Sequence, residues 1–148
     1  MILPIGDTPN PSRTPWATWL LLSVNVAVFV LLTLPRMLTP ADPAGLAALT
    51  AVFGAIPQVA TAWDVFVLEH GFQTGAPGVL DLLTSLFMHA GLAHLAGNLL
   101  FLWIFGDNVE ARLGSVPFLL FYLVCGAAAT GLYALLAGPS LVPLVGAS

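Results

Sequence analysis

The sequence of 148 residues has no lysine, three arginines and a charged content of only 7%. An ordinary soluble domain has roughly 25% charged residues. So few charges cannot coat a water-facing surface around a chain that is 59% hydrophobic, with a mean hydropathy of +0.99. The composition therefore excludes a soluble globule and predicts a protein embedded in a lipid bilayer.

Basic side chains and cysteines are both too scarce for two other kinds of function. The formal net charge is −4 and no basic stripe is available to bind phosphate backbones, so we expect no nucleic-acid partner. Cys125 is the single cysteine, which excludes an intramolecular disulfide. Its position inside an apolar run favours a packing role over a reactive one.

Long uncharged runs predict an all-α membrane protein, a polytopic helical bundle of three transmembrane helices and the start of a fourth. Residues 1–15 are polar and rich in proline, and lack the pattern of a cleaved signal, so we predict an unstructured cytoplasmic tail. The three predicted transmembrane helices are 16–34, 92–113 and 117–137, each long enough to cross about 30 Å of hydrocarbon. The fourth is predicted to begin within 141–148.

Local signals support these boundaries. Pro35 closes the first run, Gly114 can cap the second, and Pro117 opens the third as a first-turn proline. The third helix also carries two overlapping pairs of small residues at four-residue spacing, Gly126 with Thr130 and Ala127 with Gly131. We expect that face to pack closely on a neighbouring helix.

Residues 35–90 form a long first loop, because acidic residues and prolines interrupt every apolar run in it. A loop of this length is usually functional or structured. The segment 46–56, together with Trp63, Phe66 and Phe72, is apolar enough to form short helices in the membrane interface. A passive interfacial loop and a gating loop fit this pattern equally well.

The arginines indicate an orientation. An amino terminus in the cytoplasm puts Arg13 and Arg112 on the inner side and only Arg36 on the outer side. We therefore predict an integral, multi-pass protein of the cell or inner membrane whose amino terminus is cytoplasmic.

His94 and Asn98 are polar side chains inside a predicted span, where such residues mark functional sites by default. Their four-residue spacing puts both on one helical face, about one turn apart. The alternative is that they only join neighbouring helices by hydrogen bonds. His89 lies five residues before His94, about 140° away around the helix if the helix extends that far, which disfavours a metal pair. We expect no metal ion and no other cofactor.

The last three residues, Gly146, Ala147 and Ser148, form the first half of a Gly-x-Ser-x-Gly nucleophile motif. A serine preceded by small residues at a helix start is sterically open, as a nucleophile must be. All three residue types are also common packing residues in transmembrane helices, so the tripeptide alone favours packing.

Taken in order, these features resemble the first half of a rhomboid intramembrane serine protease. Residues 83–101, LTSLFMHAGLAHLAGNLLF, look like that family's His-x4-His-x3-Asn signature. Residues 106–114, GDNVEARLG, look like its Glu-x-Arg element at the end of the same helix. Gly146 and Ser148 fall where the Gly-x-Ser nucleophile opens the family's fourth helix. The resemblance runs from about residue 80 to residue 148 and implies a partial rhomboid domain there.

The resemblance implies a role for each matching residue. Ser148 would be the nucleophile, and His94 and Asn98 would donate hydrogen bonds to the oxyanion of the tetrahedral intermediate. His89 would be a polar residue at the water-accessible mouth of the site. The implied enzyme is an endopeptidase that cleaves the transmembrane segments of other membrane proteins within the bilayer, using a serine and a histidine without metal or nucleotide.

The resemblance also implies structural roles and shows two departures. Glu110 and Arg112 would hold the second and third helices together at the cytoplasmic side. The family often carries a Trp-Arg pair where this chain has Leu80 and Asp81, so we expect a different anchor for the first loop. The family's general base is a histidine on a sixth helix, which these 148 residues do not include. We therefore expect a truncated gene product or fragment that is inert by itself.

Two other functions remain open. A non-catalytic rhomboid-like membrane protein would bind transmembrane clients, although it would not need His94, Asn98 and Ser148 together. A transporter or channel fragment would explain the polar residues inside the membrane but not the serine.

Overall fold

The computed structural model describes residues 14–54 and 59–146. In those two ranges the chain is helical, and extended pairing is limited to isolated bridges, which agrees with the predicted all-α class. The predicted tail lies almost wholly outside the described residues. The helical elements in chain order are α1 (Trp16–Val28), a π-helical turn (Phe29–Thr33), α2 (Leu34–Met37), α3 (Pro43–Phe53), α4 (Ala62–His70), α5 (Val79–Ser85), α6 (Leu92–Leu113) and α7 (Ser115–Ala137).

The first transmembrane segment is longer than predicted, because it continues from α1 through the π-helical turn into α2. Pro35 was expected to end it. A proline inside a helix removes one backbone hydrogen bond and crowds the carbonyl four residues earlier. The π-helical turn directly before it widens the helix there, and Pro35 then occupies the first turn of α2, where its missing N–H costs nothing.

The described part of the long first loop contains the short helices α3, α4 and α5, and side chains cap the starts of α3 and α4. The carboxylate of Asp42 accepts a hydrogen bond from the backbone N–H of Gly45, which caps α3. The carboxylate of Asp64 accepts one from the N–H of Thr61 at the start of α4. Asp42 and Asp64, two of the acidic residues that interrupt the apolar runs of this loop, therefore cap helices. The interfacial position of the loop stays a prediction.

Within residues 14–54 and 59–146, two helical segments are long and apolar enough to cross a membrane, Trp16–Met37 and Ser115–Ala137. The second predicted transmembrane helix, Leu92–Leu113, is 22 residues long but is not one of them. Its polar side chains, at positions 94, 98, 107, 108, 110 and 112, lower its hydropathy. The prediction of three transmembrane helices is thus supported for two of them.

Helix α7 has the surface expected of a helix in lipid. Only 6% of its most apolar window is buried, and Leu135 and Leu136 are 83% and 79% exposed. A helix that is apolar on all sides requires either a protein interior or hydrocarbon around it. Since the rest of the described chain does not cover α7, hydrocarbon is the environment that fits.

Helices α1, α6 and α7 form a bundle held at one end by Glu110. Its carboxylate accepts hydrogen bonds from the backbone N–H groups of Ala17 (2.9 Å) and Thr18 (2.8 Å), and from the Thr18 hydroxyl (2.8 Å). It also accepts one from the Ser115 hydroxyl at 2.6 Å, so it joins α6 to the first turns of α1 and α7. A carboxylate there also interacts favourably with the positive ends of both helix dipoles.

The apolar core lies beside this carboxylate, around Ala17, Leu21 and Phe118. Helices α1 and α6 lie close together at Gly106, where an added Cβ would lie 2.9 Å from a Thr18 methyl carbon. Arg112, predicted to share the structural role of Glu110, is exposed in the last turn of α6. In the described residues, the hydrogen bonds that join α6 to α1 and α7 at this end are those of Glu110.

The small-residue face predicted on α7 differs from the structure in part. Gly126 is buried, and an added Cβ there would lie 2.8 Å from the side chain of Leu86, which is fully buried. The close neighbour is therefore the segment after α5. An added Cβ at Gly131 would meet nothing within 4 Å, so this glycine does not lie at a close contact in the described chain.

The segment predicted to open a fourth helix is not helical over 138–146. It runs alongside residues 72–75 of the first loop, with backbone hydrogen bonds in both directions between Phe72 and Leu144. Pro143 removes one donor that a helix would need. Residues 147 and 148 lie outside the described residues.

Candidate active site

The predicted site residues come from the start of α6 and the loop before it. His94 and Asn98 lie on the first two turns of α6, one turn apart as their spacing predicts. His89 lies in the loop between α5 and α6 and is buried, with 1% of its surface exposed. Gly91, with an extended backbone, separates His89 from the helix.

The break at Gly91 overturns the expected separation of the two histidines. Because α6 does not extend back to His89, the loop returns this side chain towards the helix. The rings of His89 and His94 lie edge to face, with centroids 5.1 Å apart. The 140° separation would apply only to one continuous helix.

His89 also contacts Asn98, an interaction that sequence reasoning missed. Its Nδ1 is 3.1 Å from the carbonyl oxygen of Phe87, and its Nε2 is 3.0 Å from the amide nitrogen of Asn98. A carbonyl oxygen can only accept, so Nδ1 carries the proton and donates it to Phe87. Nε2 then accepts a hydrogen bond from the Asn98 amide, and the ring is neutral.

Burial keeps His89 in this neutral form. Removal from water lowers the pKa of the His89 imidazole, the hydrogen bond to Phe87 raises it, and the nearby His94 lowers it further. The net effect is a pKa below the ordinary value of 6.5. At neutral pH His89 therefore acts as a hydrogen-bond acceptor for Asn98.

The extended segment after α7 brings Gly146 against His94. An added Cβ at Gly146 would lie 2.5 Å from the ring carbon Cε1 of His94 and 2.6 Å from Nε2, so only glycine fits there. The N–H of Gly146 donates to the carbonyl oxygen of Ser85 at 2.7 Å. Gly146 also has a φ of +97°, which side-chain-bearing residues rarely adopt.

Further contacts hold this segment along the loop. The Thr74 hydroxyl donates to the carbonyl oxygen of Gly138 at 2.6 Å and accepts from the N–H of Ser140 at 2.8 Å. The N–H of Gly75 donates to the carbonyl oxygen of Ser140 at 2.8 Å. The first loop thus positions the segment after α7, which leads to the predicted nucleophile. Ser148 itself lies outside the described residues.

A polar residue of the first helix, not singled out from the sequence, lies behind Asn98. Asn25 is buried, and its amide nitrogen donates to the carbonyl oxygen of Leu21 at 2.7 Å. A cavity of about 180 Å³ lies between α1, α6 and α7 and has both Asn25 and Asn98 in its wall, with Tyr122 from α7. As the only asparagine of an uncharged membrane-spanning run, Asn25 could have been identified as a polar residue inside the membrane.

The described residues contain no group of three His, Cys, Asp or Glu side chains able to hold a metal ion. Cys125 is exposed on α7. The side chains of His89, His94 and Asn98 can therefore form hydrogen bonds through their imidazole and amide groups, close to the backbone of Gly146.

Comparisons with known proteins found similarity in the part of the chain that contains these residues. Residues 76–148 match the family model described as Rhomboid domain, which includes His89, His94, Asn98 and Gly146. The chain is also similar to the rhomboid protease GluP of Bacillus subtilis, with 53% identity over 45 residues. That alignment covers 30% of this chain and 9% of the relative's length. No solved structure gave a significant match.

Proposed function

Because the chain belongs to the rhomboid family, we propose that it acts as an intramembrane serine endopeptidase on the transmembrane segments of other membrane proteins. One observation carries the proposal: the backbone of Gly146, two residues before Ser148, lies directly against the imidazole of His94. Consecutive Cα atoms are 3.8 Å apart, so the Cα of Ser148 is within about 7.6 Å of that of Gly146 in any conformation.

In the proposed mechanism, the Ser148 hydroxyl oxygen attacks the scissile carbonyl carbon. A bond forms between that oxygen and that carbon, and the carbonyl oxygen becomes an oxyanion. His94 and the amide of Asn98 donate hydrogen bonds to this oxyanion, and the C–N bond then breaks as the leaving nitrogen takes the proton removed from serine. Water hydrolyses the acyl-enzyme in a second, similar step.

The proposed general base is a histidine from a later helix, as the family resemblance implies. The histidines described here have other contacts. The Nε2 lone pair of His89 is occupied by the amide of Asn98. His70 is half exposed on α4, beside Glu69 and the ring of Phe66. We expect neither to accept the serine proton.

We further propose that α6 crosses the membrane as the second of three helices, with the amino terminus in the cytoplasm. Two of its polar side chains are compatible with this position because they are paired inside the protein. Glu110 accepts four hydrogen bonds, and Asn98 donates to His89. A paired polar group avoids most of the cost of burial in hydrocarbon.

The topology can be tested by cysteine labelling after Cys125 is changed to alanine. Single cysteines at Thr8 and at Ala111, which is exposed near the end of α6, should react with an impermeant reagent from the same side. A cysteine at Ala76, exposed in the first loop, should react only from the opposite side. Reaction of all three from one side would exclude the proposed arrangement.

The activity is tested with the natural full-length protein in liposomes, using a fluorogenic transmembrane substrate. Ser148→Ala should abolish cleavage and labelling by a fluorophosphonate probe, because it removes the nucleophile. The matched control is Ser23→Ala, at an exposed serine of α1, which should leave both unchanged. Cleavage by the Ser148→Ala protein would overturn the assignment. Client binding without cleavage by the wild type would favour the non-catalytic alternative.

A further inference from the structure

We propose that His89 is a positioning residue for Asn98: as a neutral ring it accepts a hydrogen bond that fixes the orientation of the Asn98 amide, and its protonation switches the site off in acid. This inference rests on the proposed function, since it concerns how the oxyanion donor is held. It gives His89 a task different from the position at the site mouth that the sequence implied.

The orientation of the Asn98 amide follows from two contacts in series. The carbonyl oxygen of Phe87 requires a proton on Nδ1 of His89, which leaves Nε2 with a lone pair. Only the NH2 end of the Asn98 amide can donate to that lone pair, 3.0 Å away. An amide NH2 carries two N–H groups, so one remains for the substrate. The carbonyl oxygen of Phe87 therefore determines, through His89, that the NH2 group of the Asn98 amide faces the ring.

Protonation of His89 would reverse this arrangement. An imidazolium donates from both nitrogens, so Nε2–H would face the NH2 group of Asn98, and two donors cannot bond to each other. The amide has to rotate by about 180° to bring its oxygen to Nε2. Rotation exchanges the donor and acceptor ends of the side chain, and the N–H meant for the oxyanion is then displaced.

The surroundings of His89 set the direction of the pH response. His94 on α6 is the titratable group that the structure gives as a neighbour, and the other two contacts, to Phe87 and Asn98, are neutral. Burial and His94 both oppose protonation of His89. The switch should therefore act below the ordinary titration range of histidine, with the site active at neutral pH.

Nuclear magnetic resonance of the protein labelled with 15N-histidine tests the contact without any assay of activity. At neutral pH the ring of His89 should be the Nδ1–H tautomer. Asn98→Leu should raise the pKa of His89, because the lost hydrogen bond stabilises the neutral ring. His70, exposed on α4, is the internal control, and its ring chemical shifts should be unchanged by the substitution. An Nε2–H tautomer, or an unchanged pKa in Asn98→Leu, would overturn the contact.

Kinetics of the full-length protein test the positioning role. His89→Gln keeps an acceptor near the place of Nε2 but cannot titrate in this range, so kcat at neutral pH should be close to the wild-type value and the acid limb of its pH profile should move or vanish. His89→Leu should lower kcat roughly 10- to 100-fold without changing KM. In an Asn98→Ala background, His89→Leu should have no further effect.

The outcomes separate this proposal from the proposed function. Equal losses for His89→Gln and His89→Leu, or a wild-type pH profile in His89→Gln, would overturn the positioning role in an enzyme that still cleaves. Absence of peptidase activity in the wild type would overturn the proposed function and the catalytic purpose of the contact. In that case the tautomer measurement would still decide whether the contact exists.

Discussion

The two ends of α6 differ in how their polar side chains are paired. At the carboxyl-terminal end, the Glu110 carboxylate accepts four hydrogen bonds from α1 and α7. At the amino-terminal end, Asn98 donates one amide N–H to His89 and keeps a second donor. A fully paired group holds helices together, whereas a partly paired donor in a dry site can stabilise charge that develops during a reaction. One helix thus combines an end that joins three helices with an end for which we propose a reactive role.

The largest expected effect is on the cleavage rate, and it should come from substitutions at the amino-terminal end of α6. Asn98→Ala and His94→Ala should each lower the cleavage rate about 10²- to 10³-fold, equivalent to about 2.7–4 kcal/mol of barrier, if both donate to the oxyanion. Substrate binding and the thermal midpoint should change much less. Turnover and melting temperature are measured on the same samples. If the two residues only join helices, stability falls first and activity declines in proportion to unfolded protein.

Glu110→Ala should show the opposite pattern. It leaves two backbone N–H groups and two hydroxyls without an acceptor, and each unpaired buried donor costs about 1–3 kcal/mol. Water entering at the membrane surface will replace part of this, so we expect a loss of roughly 3 kcal/mol in the free energy of unfolding. The control Glu69→Ala, at an exposed residue of α4, should be nearly neutral. Equal thermal midpoints for these variants would refute the structural role of Glu110.

A smaller effect is expected from packing between the two ends. Gly126→Leu inserts a side chain against the buried Leu86 and should cost about 1–3 kcal/mol. Gly131→Leu introduces the same atoms on the same helix where an added Cβ meets nothing within 4 Å. It should therefore leave the thermal midpoint in detergent unchanged. A similar loss in both variants would show that exchanging a helical glycine for leucine is itself responsible, and not the contact with Leu86.

Acid should produce the smallest change in stability. Burial holds the pKa of His89 below its usual value, so in mild acid the folded protein binds fewer protons than the unfolded chain. The contribution of His89 to stability is complete above about pH 6.5 and declines as the pH falls through that value, by at most about 1.4 kcal/mol per pH unit. Melting temperatures between pH 7.5 and 5 should reveal this decline, and His89→Gln should remove it.

The same contrast explains what could be predicted from the residues. The alignment of His94 and Asn98 on one face depends only on helical geometry within four residues, and it was predicted. The contact between His89 and Asn98 depends on where α6 begins, which Gly91 decides by its extended backbone. The predicted 140° separation from His94 applied only if the helix extended back to His89, and α6 begins at Leu92.

The segment after α7 gives a second example. Its apolar composition predicted the start of a helix, but residues 138–146 pair instead with the first loop through Phe72 and Thr74. These partners are more than sixty residues away in the sequence. A short apolar run has no periodicity that distinguishes a helix from an extended strand, so the pairing partner decides.

The sequence by itself determined that this is a membrane protein with long helices, and it carried the motifs that indicate the family. Composition and local spacing are sufficient for these conclusions, because hydrocarbon selects apolar helices of a certain length. Only the tertiary structure decided that Glu110 joins three helices, that His89 contacts Asn98 and that Gly146 lies against His94. These contacts join separate segments whose docking no local pattern encodes, since a hydrogen bond forms only when packing brings donor and acceptor within about 3 Å.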